Sequence, residues 1–560
     1  MKTLTKFLSI VLLLASCDSA PPPATIAQSA VAMPDAYSAT VASGILASGG
    51  NAVDAAIAAT FSLAVTYPEA GNIGGGGFML VHMNGESKFI DYRETAPLLA
   101  YRDMYLDENG EVIPNASLIG HRAAGVPGTV AGMWLAHQRY GSLPWADLLV
   151  PAINLARNGF EVSPQLEERA AETIAWHDGV IDFEGQFGKL VAGEIFKQED
   201  LARTLERIAT KGADDFYRGA TAELIVAEMQ RGDGLITMQD LDRYRAVVRE
   251  PLRANWRGLE IVSAPPPSSG GFAVIQLLKM KDFLNHEFEG VPHNSPQYIH
   301  LVAEIEKRVF ADRAEYLGDP DYIDVPIDTL ISDDYLRRRA AEVNPSTIST
   351  VDAAAPGIES PDTTHFSILD EQGNAVSNTY TLNWEFGSGI VVKGAGFLLN
   401  DEMDDFSAKP GVPNLFGVVG SKANEIQPGK RMLSSMSPTL LLRDGEVEMV
   451  VGTPGGSTIF TSVFQTITNV YDYGMLPGAA ADVTRFHHQL LPPDLVTFSP
   501  GVPLPEETIS ALGDLGYRAV PHGWEFGDVQ VILKNKDGVT AASDSRHRGE
   551  SRISMSEVSP

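Results

Sequence analysis

Four hairpin signals constrain this chain more than any other feature. Asn84-Gly85, Glu371-Gln372-Gly373-Asn374, Asp444-Gly445 and Asp537-Gly538 each stand between two short apolar runs. Runs joined so tightly meet as neighbouring antiparallel strands. The predicted pairs are 78–83 with 88–93, 364–370 with 375–382, 439–442 with 447–451, and 529–533 with 539–542. Residues 38–65 read as two helices, the second capped by Asn51, with Val53, Ala56, Ile57, Phe61 and Ala64 as its apolar stripe. From Pro144 to about Leu284 the periodicity is mostly helical, and it continues to about Val343 before the stretch 353–361 breaks it. Another helix is expected at 457–471. Self-pairing strands alternating with helices predict an α+β fold in which two packed antiparallel sheets are covered by helices on both outer faces.

The start of the chain reads as an address. Lys2 and Lys6 precede an apolar run, 7–15, too short to span a bilayer, and Leu14-Ala15-Ser16-Cys17 resembles the bacterial lipobox. The expected organisation is a lipoprotein signal peptide at 1–16, lipidation at Cys17 and a tether at 17–28. That implies a protein exported to the bacterial cell envelope, periplasm-facing and held to the membrane by lipid. Cys17 is the sole cysteine, so no disulfide supports the body. Acidic residues number 72 against 42 basic ones, and no basic run exceeds Arg337-Arg338-Arg339, which sets nucleic acid aside. The glycines at 74–77 lack the Lys-Ser/Thr of a phosphate loop and lead into a strand. His487-His488 has no companion ligand spacing, so no metal is expected, and no cofactor is implied.

Chemistry enters with the second hairpin. With Asp370 opposite Ala375, Thr364 faces Thr381 and Thr363 lies diagonally beside it, so three threonines meet at one sheet end. A threonine hydroxyl is a poor nucleophile without an adjacent base. If the chain is cut between Asp362 and Thr363, the new α-amine, with a pKa of about 7.7 to 8, supplies one.

Seven segments carry a long resemblance: Gly49 to Ala56, Gly71 to Phe78, Asp91-Tyr92-Arg93, Asp362-Thr363-Thr364-His365, Asp404 to Gly411, Ser434 to Pro438 and Gly452 to Ser457. In this order, and from Gly49 to about Arg546, the chain is similar to γ-glutamyltranspeptidase, of the N-terminal nucleophile hydrolase superfamily. The resemblance implies a four-layer αββα sandwich, self-cleaved into two intertwined subunits, 29–362 and the catalytic 363–560. It also implies γ-glutamyl transfer from glutathione and other γ-glutamyl amides to water or to an amino acid or peptide. Carried over by position, Thr363 is the nucleophile, Thr381 its positioning partner, and Gly455 and Gly456 the oxyanion donors. Arg93 with Ser434 and Ser435 would hold the substrate α-carboxylate, and Asp405, helped by Asn383 and Glu402, its α-ammonium.

Some positions depart from the family. Glu402 stands where some members carry glutamine, Phe416 lies in a lid-like segment where tyrosine is frequent, and Trp384-Glu385 replaces smaller residues next to Asn383. Two other readings follow from the same residues: an acylase for glutaryl or cephalosporin amides, and a non-enzymatic envelope-binding lipoprotein. Retention of both Glu402 and Asp405 disfavours the first, because a glutaryl group brings no cation to them. Intact Thr363, Thr381 and Gly455-Gly456 disfavour the second.

Overall fold

The computed structural model describes residues 26–176, 181–350, 363–409 and 422–557. The expected leader, Cys17, Asp362 and the segment around Phe416 lie outside the described residues.

Two antiparallel sheets form the centre. Across the first, the strands run Glu550–Glu557, Ile26–Met33, Thr363–Leu369, Ala375–Thr381, Gly76–Met83, Glu86–Asp91 and Val247–Arg249. Across the second they run Gly538–Ser543, Gln530–Asn535, Glu446–Gly452, Thr439–Arg443, Leu259–Ser263 and Leu252–Trp256.

Strand alternation sorts the side chains into three layers. Phe78, Leu80, Phe89 and Leu369 of the first sheet meet Val262, Leu440, Val450 and Ile532 of the second between the sheets. On the opposite face of the first sheet, Met79, Val81, Ile90, Phe366 and Ile368 pack on the helices Ala36–Ala47 and Ala52–Thr66. On the outer face of the second, Ile261, Leu441, Met449 and Val531 pack on Gly270–Phe283, Pro296–Tyr316 and Thr458–Tyr471. The result is the expected four-layer αββα sandwich.

Asn51 caps Ala52–Thr66 as expected, its side chain accepting from Val53 and Asp54 while the Asp54 carboxylate accepts from the Asn51 amide. The predicted apolar stripe understates the burial, since every residue of this helix is buried. Its alanines let neighbouring helices cover the faces a longer side chain would hold open.

Four expectations need correction. The central hairpin pairs Leu369 with Ala375, which places Thr363, not Thr364, opposite Thr381. The cause is Asp370: its backbone closes the turn against Asn374, and its carboxylate accepts from the amides of Gln372 and Asn374, so the loop has three residues where four were expected. The last hairpin turns at Lys536-Asp537, with Gly538 pairing Asn535 at positive φ. The first strand opens at Ile26, inside the expected tether. The stretch read as helical also contains five strands, the short pair 160–161 and 195–196 and the central-sheet strands 247–249, 252–256 and 259–263. The last two are joined by Arg257-Gly258, both at positive φ, and Arg-Gly is not the Asn-Gly or Asp-Gly pair that marks such turns.

Candidate active site

The hairpin Thr363–Thr381 carries the two threonines of the site. Thr363 opens one strand and Thr381 ends its partner, the two are register neighbours, and their hydroxyl oxygens lie 3.5 Å apart. Thr381 Oγ1 also accepts the Asn383 amide at 2.8 Å. Asn383 holds φ at +82°, a conformation asparagine tolerates better than most residues, and the chain turns there towards Asp401, whose carbonyl accepts from Asn383 Nδ2.

The glycine run 74–77 turns out to be a packing device. A Cβ on Gly75 would lie 2.1 Å from the Thr381 carbonyl oxygen, and one on Gly77 would lie 2.4 Å from that of Thr379. Asn72 completes the fit: its Nδ2 donates to the Thr381 carbonyl, and its Oδ1 accepts from the Gly75 amide and the Thr129 hydroxyl. Asn400 does the same for the acidic turn, with Nδ2 on the carbonyls of Gly74 and Gly125 and Oδ1 accepting from the Glu402 amide. Neither asparagine was singled out from sequence, because the carbonyls they hold in place, that of Thr381 for Asn72 and those of Gly74 and Gly125 for Asn400, lie far away along the chain.

Arg93, Thr363, Thr381, Asn383, Glu402, Asp405, Ser434, Ser435 and Gly456 line one pocket together with Met436 and Ile459. Sequence reasoning had named the first nine. Gly455, the tenth, stands just behind the lining. Gly455 and Gly456 both have positive φ, and their carbonyls accept from the amides of Thr458 and Ile459. Among the described residues, no acceptor takes the N–H of either glycine.

The charged end differs from expectation in one respect. Arg93 does not offer an open fork. It is buried, with one terminal nitrogen on Glu402, the other on Asp405 and the Leu433 carbonyl, and Nε on the carbonyl of Met432. Burial alone disfavours the guanidinium charge, but Glu402 and Asp405 hold it firmly protonated. The carboxyls move the opposite way from exposed acids: burial lifts Glu402 to about 8 against the pull of Arg93, and it raises Asp405 as well. Glu94, whose carboxylate lies 3.7 Å from Arg93, is fully buried, and burial followed by repulsion from Glu402 drives it well above the usual carboxylate range.

Ser434 and Ser435 are braced from behind. The Ser434 carbonyl accepts from both the amide and the hydroxyl of Ser269, and Arg313 Nη2 donates to Ser435 Oγ at 3.0 Å. The turn at 265–271 therefore supports the site, a role its spacing did not reveal. Beside the pocket, Trp384 donates its amide to Asp401 and sits between Trp176 and Trp524, with ring centroids 4.7 Å and 6.3 Å away, while Glu385 pairs with Arg169.

The site brings together a threonine hydroxyl at the start of a strand, a glycine pair whose amides have no acceptor among the described residues, and an arginine flanked by two carboxyl groups. Comparison with known proteins identifies the family. The gamma-glutamyltranspeptidase family model matches residues 38–554. A Pseudomonas aeruginosa protein named glutathione hydrolase proenzyme is 56% identical over 546 residues, covering 98% of each chain. Among solved structures, the gamma-glutamyltranspeptidase from Pseudomonas nitroreducens complexed with L-DON is 56% identical at a TM-score of 0.56, covering 57% of this chain and 95% of that one. The cephalosporin acylase from Bacillus halodurans aligns at a TM-score of 0.80 and 25% identity, over 97% of this chain and 99% of that one.

Proposed function

We propose, since this chain belongs to the gamma-glutamyltranspeptidase family, that it cleaves glutathione and other γ-glutamyl amides through a γ-glutamyl ester on Thr363. The reading begins with self-cleavage: the Thr363 hydroxyl attacks the Asp362 carbonyl, the peptide C–N bond breaks and frees the Thr363 α-amine, and water hydrolyses the resulting ester to release the Asp362 carboxylate and the Thr363 hydroxyl. That amine then takes the hydroxyl proton as Thr363 attacks the γ-carbonyl of the donor. The Gly455 and Gly456 amides receive the oxyanion, where one such donor is worth roughly 2.7 to 4 kcal/mol. The proton passes to the leaving amine, the acyl group stays on Thr363, and water or an amino acid or peptide amine collects it.

One observation carries the substrate class: two carboxylates facing one arginine in the pocket that also holds Thr363. An α-amino acid end has the matching pair of charges. Its carboxylate meets Arg93, Ser434 and Ser435, its ammonium meets Asp405 and Glu402, and the internal ion pairs are exchanged for external ones without leaving a buried charge unmatched. A glutaryl amide would supply the carboxylate alone.

The test compares γ-glutamyl-p-nitroanilide with glutaryl-p-nitroanilide on wild type and Asp405→Asn. Asp405→Asn is expected to lower kcat/KM for the γ-glutamyl donor at least about tenfold, equivalent to about 1.4 kcal/mol, and to spare the glutaryl one. Wild type preferring the glutaryl substrate, or equal loss on both, would transfer the assignment to the acylase reading.

A further inference from the structure

The nucleophile and the proposed oxyanion donors lie on different sheets. Thr363 opens a strand of the first, whereas Gly455 and Gly456 follow the end of Glu446–Gly452 in the second. Catalysis at Thr363 therefore needs something that fixes one sheet against the other at this end of the sandwich.

His365 occupies that position. It is two residues from Thr363 on the same strand face, opposite Thr379, and wholly buried between the sheets. Its Nδ1 lies 2.7 Å from Thr379 Oγ1 and its Nε2 3.2 Å from Ser367 Oγ. Ser367 donates its own hydroxyl hydrogen to the Gln530 carbonyl at 3.0 Å. That bond sets the direction of the chain: Ser367 must accept from Nε2–H, so Nδ1 accepts from the Thr379 hydroxyl. The ring has no charge to shelter, since burial lowers its pKa to about 3.

The far end of the chain falls at a significant place. Gln530 is the register partner of Gly452, the last residue of the strand that leads through Thr453 and Pro454 to Gly455. The imidazole also packs on Gly452 itself, where a Cβ would come within 2.2 Å of its Cε1. One ring thus touches the nucleophile strand, its neighbour Ala375–Thr381, and the rung of the second sheet from which the oxyanion loop departs.

Resting on the assignment of Thr363 and Gly455-Gly456 given above, we propose that His365 is a positioning residue that sets the distance between nucleophile and oxyanion donors through the chain Thr379–His365–Ser367–Gln530. It touches no substrate and is not a catalytic residue. Since Arg93 and Asp405 lie outside this chain, loosening it disturbs the transition state while leaving recognition of the amino acid end intact.

Thr379→Val and Ser367→Ala each remove one link and leave the ring in place. Hydrolysis of γ-glutamyl-p-nitroanilide is measured per amount of mature small chain. Each variant is expected to lose at least fivefold in kcat with KM within twofold of wild type, and Thr379→Ser, which keeps the hydroxyl, is expected to recover to within twofold. Should Thr379→Val remain uncut, Ser367→Ala and Thr379→Ser decide. A merely structural role would lower the yield and melting temperature of mature protein with kcat per mature chain unmoved. A kcat loss below fivefold in a variant that matures, or a loss that appears in KM, overturns the proposal. Thr363→Ala run alongside separates the two levels: if it keeps hydrolysing, the nucleophile assignment itself is wrong, and if it is inactive while the link variants stay at full kcat, only the spacing role of His365 falls.

Discussion

Burial pushes Glu402 up to about 8 against the pull of Arg93, so the balance between its acid and carboxylate forms moves towards the carboxylate as the pH rises through neutrality. The carboxylate is the form that attracts the substrate ammonium. KM for γ-glutamyl-p-nitroanilide is therefore expected to fall between pH 6.5 and 8.5 in wild type, and Glu402→Gln, which has nothing to ionise, to flatten that slope. Parallel KM profiles in the two proteins would remove Glu402 from ammonium binding. The negative charge that a glutamate brings here, where some family members carry glutamine, therefore grows with pH. The candidate catalytic and substrate-binding residues could be named because seven segments resemble the family in order, and all but Gly455 prove to line one pocket. What those residues do to one another could not be read in the same way. Arg93 gripping both acids and the asparagine braces at 72 and 400 depend on partners hundreds of residues away, and the state of Glu94 depends on burial.

Single elements were legible where local chemistry fixes them. Asn84-Gly85 and Asp444-Gly445 adopt positive φ at both positions, as two-residue hairpins require. The central hairpin slipped by one residue because a carboxylate, Asp370, was recruited to close its own turn, and a slip of one exchanges the faces of the strand. Thr364 accordingly lies on the face away from the pocket, its buried hydroxyl without a hydrogen-bond partner among the described residues. The glycine run belongs to this scale too, since it lets the loop before Gly76–Met83 press on Thr381. Gly75→Ala puts a methyl group where the Thr381 carbonyl stands and is expected to destabilise the protein by about 1 to 3 kcal/mol in urea unfolding and to slow self-cleavage. Unchanged stability and processing would mean that the loop yields freely and does not position Thr381.

At the scale of the whole molecule, the proposed cut before Thr363 would fall within an interleaved sheet. Thr363–Leu369 lies between Ile26–Met33 and Ala375–Thr381, and Gly76–Met83, from before the cut, pairs with the other side of the same hairpin. The second sheet is shared in the same way, with Leu259–Ser263 beside Thr439–Arg443. Neither product chain can complete either sheet alone. No helix among the described residues is long and apolar enough to cross a membrane. We read Cys17 as the anchor: wild type should partition into detergent and take up a labelled fatty acid, Cys17→Ser should do neither, and equal labelling of the two would exclude lipid at this residue. The account as a whole rests on Thr363 being an N-terminal residue in the working enzyme. N-terminal sequencing of the small chain from active protein tests this directly: the account predicts Thr-Thr-His-Phe, beginning at Thr363, and a fully active chain left uncut or starting at any other residue would contradict it.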